Sequence, residues 1–253
     1  MADALLSVRA LSKRFGGIVA TDGVDLDVAE GETLALIGPN GAGKTTLIAQ
    51  LSGDLRPDAG VIRFAGADVT ALSAPARSRR GFARSFQVTS IFREFTAVAN
   101  VALAVQAHAG HSFRFWRPAA RERALREPAY AVLERVGLGE RADVPAGALA
   151  HGEQRQLELA MALATRPRLL LLDEPVAGMG PDESQRMVRL LRTLRGAHTI
   201  VLVEHDMDVV FALADRISVI VYGRVLATGA PAAIRENAEV RRAYLGEEAP
   251  AGC

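Results

Sequence analysis

The chain is nearly without cysteine and lysine. Its one cysteine among 253 residues is Cys253, so no internal disulfide can form, and a reducing compartment fits. Excess charge is missing too: 30 basic residues face 29 acidic ones, and the net charge of +1 excludes a bulk field aimed at nucleic acid or anionic lipid. No apolar run reaches the roughly 20 residues that span a bilayer. The first ten residues, MADALLSVRA, lack the apolar core of a signal peptide. Internal repeats, low-complexity tracts and long linkers are likewise missing. Of the 30 basic residues only Lys13 and Lys44 are lysines, so a lysine marks a place where arginine would not serve.

What remains is a globular composition, 49% apolar and 23% charged. A chain of this length buries roughly three quarters of its unfolded surface. LLSVRAL (5–11) and VDLDV (24–28) alternate as antiparallel strands do. TLALIG (33–38) is almost continuously apolar, the mark of a strand buried on both faces, and a helix follows from Lys44 to Ser52. VIRFAG (61–66), LLLLDE (169–174), TIVLVEH (199–205) and RISVIVYG (216–223) are further strands. Between 88 and 165 the apolar spacing becomes helical, with breaks expected at Pro118, Pro128 and Pro145. Strands alternating with helices predict a mainly parallel sheet. The expected architecture is a single α/β domain with an N-terminal antiparallel β layer. Residues 1–87 and 166–230 form the core, 88–165 an inserted helical subdomain and 231–253 a helical tail.

GPNGAGKTT (38–46) fits G-x-x-x-x-G-K-[ST] and lies between a strand and a helix, where a phosphate-binding loop belongs. Gly41 and Gly43 let backbone N–H groups converge on a phosphate, and the helix N-terminus adds positive potential. Lys44 can reach the β and γ phosphates of ATP, and Thr45 can hold Mg²⁺. Gly38, Pro39, Asn40, Ala42 and Thr46 complete the candidate nucleotide contacts. In LLLLDEP (169–175), Asp173 ends a strand where open sheets bind ligands and can organise Mg²⁺; Glu174 can orient or deprotonate the attacking water. By themselves Phe15, Gln87 and His205 read as a core aromatic, a surface amide and a structural imidazole. LAHGEQRQLELA (149–160) opens a helix, either as a plain cap or as half of an ATP site completed by another polypeptide.

The order of these features decides. Phe15, the 38–46 loop, Gln87, the 149–154 stretch, Asp173–Glu174 and His205 together resemble the nucleotide-binding subunit of ABC transporters over nearly the whole chain. The resemblance implies a P-loop ABC ATPase core. It assigns Phe15 to adenine and Gln87 to Mg²⁺, the γ-phosphate and the transmembrane subunit. It makes Glu174 the catalytic base and His205 a γ-phosphate ligand. Thr45, Gln87 and Asp173 are then the metal-site candidates. Two subunits pack head to tail in this family, so Ala150, His151, Gly152 and Glu153, standing where the signature loop reads Leu-Ser-Gly-Gly-Gln, are expected to cover ATP held by the other subunit.

Closer still, FGGIVATDGVDLDV, ARSFQVTSIFREFTAVANV, EPVAGMGPDES, VLVEHDMDVV and IRENAEVRRAYLG resemble the ATPases of branched-chain amino-acid importers. That implies two permease subunits, a second and different ATPase chain (with a homodimer as fallback), and an extracytoplasmic solute-binding protein acting indirectly. It places the chain peripherally on the cytoplasmic face of the inner membrane, with no nucleic-acid partner. Two alternatives are an ATPase of lipid or lipopolysaccharide export and a soluble non-transport ABC ATPase. Ala150 in place of the signature serine, and Gly180 in AGMG where the family has aspartate, depart from the general pattern. The segment 113–127 and RSRR (77–80) are expected to be solvated surface.

Overall fold

The computed structural model describes residues 4–85, 90–109 and 123–245. It divides into two compact units: Met1–Arg77, Leu171–Glu174 and Leu194–Cys253 in the first, Ser78–Leu170 and Pro175–Thr193 in the second.

The first unit opens with β1 (Ala4–Phe15) and β2 (Ile18–Ala29), an antiparallel hairpin in which Phe15 faces Ile18. Leu6 and Val8 are buried on one face of β1, as alternation predicts. The register then shifts between Val8 and Leu11, where Ala10 adopts φ 48°. The bulge is pinned: Ala10 N donates to Asp25 Oδ1 at 2.7 Å. With β4 (Ala59–Phe64) and β5 (Ala67–Asp68) the sheet runs β2-β1-β4-β5.

The other sheet of this unit follows the order β10-β9-β3-β8-β7. β3 (Thr33–Ile37), β7 (Leu169–Asp173) and β8 (Thr199–Val203) are buried at every residue. That is why their sequences read as unbroken apolar runs. β3 pairs in parallel with β8 and with β9 (Arg216–Val221), while β10 (Arg224–Gly229) returns antiparallel to β9. The loop after β3 leads into α1 (Lys44–Ser52). α7 (Met207–Leu213) begins at Asp206, whose carboxylate accepts from the backbone N–H groups of Asp208 and Val209. Val210, Ile217, Val219 and Ile234 pack with Ala35 and Ile37 into one core cluster.

Arg77, at the end of α2 (Ala74–Ser78), corrects the surface expectation for RSRR: it is 1% exposed. Its Nη1 donates to the carbonyls of Gln50 and Leu51 at 2.6 Å each, and Nη2 and Nε reach those of Thr70 and Leu72. A helix leaves its last carbonyls without internal partners, and the guanidinium caps those of α1. Burial lowers the Arg77 pKa to about 10.

In the second unit, Arg168 N and Leu169 N both donate to Gly81 O, which brings β6 (Phe82–Arg84) alongside the start of β7. α3 (Ala97–Ala109), α4 (Arg123–Arg135), α5 (His151–Ala164) and α6 (Pro181–Leu194) supply its helices. Pro128 does not break the helical pattern; it lies inside α4. Leu125, Ala129 and Leu133, spaced by one turn, bury the same face, and this packing outweighs the lost backbone hydrogen bond. Pro118 and residues 113–122 of the 113–127 segment lie outside the described residues. α8 (Pro231–Glu236) and α9 (Ala238–Leu245) end the described chain.

Candidate functional site

The loop between β3 and α1 is shaped by glycines for two different reasons. Gly38 has φ 151°, and a Cβ there would sit 2.0 Å from Ile220 O; at Gly43, with φ 102°, it would sit 2.0 Å from Ala20 O. Neither position admits a side chain. Gly41, with φ 78°, has nothing within 4 Å of its missing Cβ, so its backbone faces open space. Ala42 N donates to Pro39 O at 3.2 Å and closes the turn. Asn40, Gly41 and Thr45 are exposed, Pro39 and Thr46 half-buried. Gly43 gives the first N–H groups of α1 no side-chain cap, which leaves the helix N-terminus suited to a phosphate.

Lys44, 8% exposed, donates from Nζ to Gly38 O at 2.7 Å and Pro39 O at 3.0 Å. The ammonium is thus folded over the loop that carries it. Burial pulls its pKa down, and the carboxylates of Glu174 and Asp173 pull it back up. Asp173, the last residue of β7, is 2% exposed. Glu174 follows at φ 51°, a backbone conformation that strains a side-chain-bearing residue. Its N–H donates to Val203 O at 2.9 Å, which fixes the strained residue to β8.

His205, just past β8, brings Nδ1 to 3.7 Å from Glu174 Oε1 and 4.0 Å from Glu204 Oε2. The Glu204 carboxylate is wholly buried and accepts from His205 N at 3.2 Å. Sequence reasoning passed over Glu204; the only signal was its place beside His205 at a strand end. Phe15, at the tip of the β1–β2 hairpin, is 49% exposed, with Lys13 Nζ 5.7 Å from its ring centroid. The first unit therefore brings Lys44, Asp173, Glu174 and His205 together. Gln87 lies outside the described residues. Among the described residues no group of three or more His, Cys, Asp or Glu side chains is placed to hold a metal ion alone. The single buried carboxylate of Asp173 near the phosphate loop fits Mg²⁺, which shares its coordination with water and phosphate oxygens.

The 149–154 stretch belongs to the second unit. Ala150 precedes α5 in an extended conformation and has no side-chain acceptor for the helix N–H groups. Only the reverse half of a capping box forms: Ala150 N donates to Glu153 Oε2 at 2.9 Å. Arg141 Nε holds Glu153 Oε1 at 3.0 Å, so this carboxylate is turned onto its own helix and neighbouring loop. His151 is exposed and Gly152 buried. A Cβ on Gly152 would meet Glu183 Oε1 at 2.7 Å.

Known proteins resemble this chain along nearly its whole length. The ABC transporter family pattern covers residues 21–177, and that of the branched-chain amino acid ATP-binding cassette transporters covers 224–250. The chain is 44% identical over 254 residues to the Pseudomonas aeruginosa high-affinity branched-chain amino acid transport ATP-binding protein BraF, covering 98% of this chain and 100% of that one. It is 42% identical over 259 residues to the Escherichia coli protein LivG of the same description, with the same coverage. A solved ATP-binding cassette of an ABC transporter in its ADP conformation superposes with a TM-score of 0.85 at 28% identity, over 97% of this chain and 100% of that one. Fold and phosphate loop together define a nucleotide-binding ATPase cassette. The chain belongs to the ABC transporter family, as one of its ATP-binding proteins.

Proposed function

We propose that this chain is the ATP-hydrolysing subunit of an importer for branched-chain amino acids. The observation that carries the solute class is similarity along 98% of the chain to BraF, whose description names that transport. Lys44 binds the β and γ phosphates, exchanging its two loop carbonyls for them, and the uncapped N-terminus of α1 shares the load. Thr45 and Asp173, with Gln87, hold Mg²⁺, which when bound neutralises charge on the phosphates. Glu174 takes a proton from water as its oxygen attacks the γ phosphorus and the bond to the β-bridging oxygen breaks. His205 contacts the γ-phosphate and lies close enough to Glu174 to steady its carboxylate. Phe15 stacks on adenine. Ala150, His151, Gly152 and the N-terminus of α5 face ATP held by a second subunit, with Glu153 holding the loop in shape.

No helix among the described residues is long and apolar enough to cross a membrane; the reading assigns the membrane passage to permease partners. The assembly is two permeases, a second ATPase chain and, outside the membrane, a solute-binding protein; this chain sits peripherally on the cytoplasmic face. The test is ATP-driven leucine uptake by vesicles holding the complete complex. Glu174→Gln should bind ATP yet slow hydrolysis by roughly 10²–10⁴-fold and stop uptake. Turnover within threefold of the parent removes Glu174 from the role. Normal turnover without uptake of any branched-chain amino acid removes the solute assignment.

A further inference from the structure

β9 and β10 are joined by Tyr222 and Gly223 alone, since Val221 pairs with Arg224. Both loop residues have positive φ, 48° and 77°. This is the pattern of the type I′ hairpin turn, whose first position favours asparagine or glycine. A bulky aromatic there is an outlier. Its ring gains nothing within the fold: Tyr222 is 88% exposed and, among the described residues, makes no hydrogen bond or ring contact.

The turn is nonetheless fastened to the phosphate loop. Gly223 N donates to Ala42 O at 2.9 Å, and Asp22 N donates to Gly223 O at 2.8 Å. Arg224 clamps the same junction, donating from Nε and Nη2 to Asp22 Oδ2 at 2.8 and 2.6 Å. Gly223 Cα lies 3.6 Å from where a Cβ on Gly43 would stand. Tyr222 is thus carried at the rim of the loop by a clamped turn. On the neighbouring β1–β2 hairpin stand two more exposed apolar side chains, Phe15 at 49% and Ile18 at 71%. A nucleotide whose phosphates occupy the loop must project its base from that rim, and a base is recognised by aromatic faces.

We propose that Tyr222 is a second aromatic contact for the nucleotide, packing against its base and ribose opposite the side served by Phe15. The inference rests on the nucleotide site proposed above. It explains why a turn suited to asparagine carries a strained, solvated tyrosine.

The substitution Tyr222→Asn separates the two roles, because asparagine suits the turn and cannot stack. Equilibrium binding of ATP and of inorganic tripolyphosphate to the full chain is compared with thermal unfolding without ligand. Tyr222→Asn should keep or raise the melting temperature, weaken ATP about five- to tenfold, and leave tripolyphosphate unchanged. Tyr222→Phe should bind ATP within about twofold of the parent. Unchanged ATP affinity in Tyr222→Asn, or equal weakening of ATP and tripolyphosphate, overturns the assignment. Lys44→Ala and Phe15→Ala run as references. If they lose ATP while Tyr222→Asn does not, the nucleotide site stands and only the Tyr222 contact fails. If none of the three changes ATP affinity, the site itself is misplaced.

Discussion

Ala150 puts a methyl group where a helix wants an acceptor. Alanine is among the poorest N-cap residues, and serine in its place contributes about 1 kcal/mol of stability. The extended backbone at Ala150, φ −61° and ψ 160°, already suits a serine cap, and Glu153 already forms the other half of the box. Ala150→Ser should therefore raise the unfolding free energy of the isolated chain by about 1 kcal/mol, seen in urea titration. In the assembly proposed above a hydroxyl here would also face ATP held by the partner, and hydrogen bonds to charged groups contribute roughly 1.5–3 kcal/mol. ATP-driven closure of the assembled complex should tighten, by up to about tenfold if half of that is realised. A gain in stability with unchanged closure would show that the missing hydroxyl matters to α5 alone and does not make the two ATP sites unequal. Gly152 is less forgiving. Glu183 Oε1 lies 2.7 Å from its would-be Cβ, so Gly152→Asp sets a second carboxylate against Glu183 and should abolish closure. Gly180 differs again: a Cβ there meets nothing within 4 Å, so its lack of a side chain is not a packing requirement.

At the level of elements, α1 is held at both ends by groups of opposite kind. Its N-terminus faces the phosphate loop, and its C-terminal carbonyls are closed by the buried Arg77 guanidinium. Arg77→Ala would leave Gln50 and Leu51 carbonyls buried without that donor, each costing about 1–3 kcal/mol. Arg77→Lys keeps a charge but not the fork that reaches four carbonyls, and should recover only part of the loss. Denaturant titration of both variants checks this; alanine within 0.5 kcal/mol of the parent, about the scatter of neutral surface changes, would show that the cap is dispensable. This contact also marks where reading from sequence stops. β3, β7 and β8 were legible because burial on both faces favours nearly continuous apolar runs, and the 38–46 loop because Gly38 and Gly43 admit nothing larger. β10 was not: none of its residues is fully buried, so an edge strand leaves little pattern. Arg77 read as surface charge because the carbonyls that hold it lie 5 to 27 residues away. Glu204 had no partner in sequence that would reveal a buried carboxylate behind His205.

At the scale of the whole chain, the phosphate loop, Asp173, Glu174 and His205 fall in the first unit and the 149–154 stretch in the second. If that stretch serves ATP on another subunit, the isolated chain lacks half of its own hydrolytic site. Large exposed apolar side chains are few among the described residues: Phe15, Ile18, Phe92, Phe95, Tyr222 and Leu226. Phe15, Ile18 and Tyr222 are those assigned above to the nucleotide rim, and Phe92 and Phe95 stack on each other at 5.6 Å. Among the described residues, apolar burial thus offers little to join two cassettes. In the assembly proposed above the surfaces to be joined are the positive ends of α1 and α5, which repel until a polyphosphate lies between them. The purified chain should accordingly be monomeric in the absence of ATP and, when ATP is supplied, only a weak ATPase. In the Glu174→Gln form, Mg·ATP should drive association that Lys44→Ala abolishes, as sedimentation would show. In the assembly proposed above the partner is a second, different ATPase chain. Only that arrangement lets the alanine signature face one site while a different loop serves Lys44, Glu174 and His205. Quantitative native mass spectrometry of the membrane complex should find one copy of this chain beside one of another ATPase. Two copies of this chain and no other ATPase would place Ala150 in both sites, and the inequality of the two would fall with it.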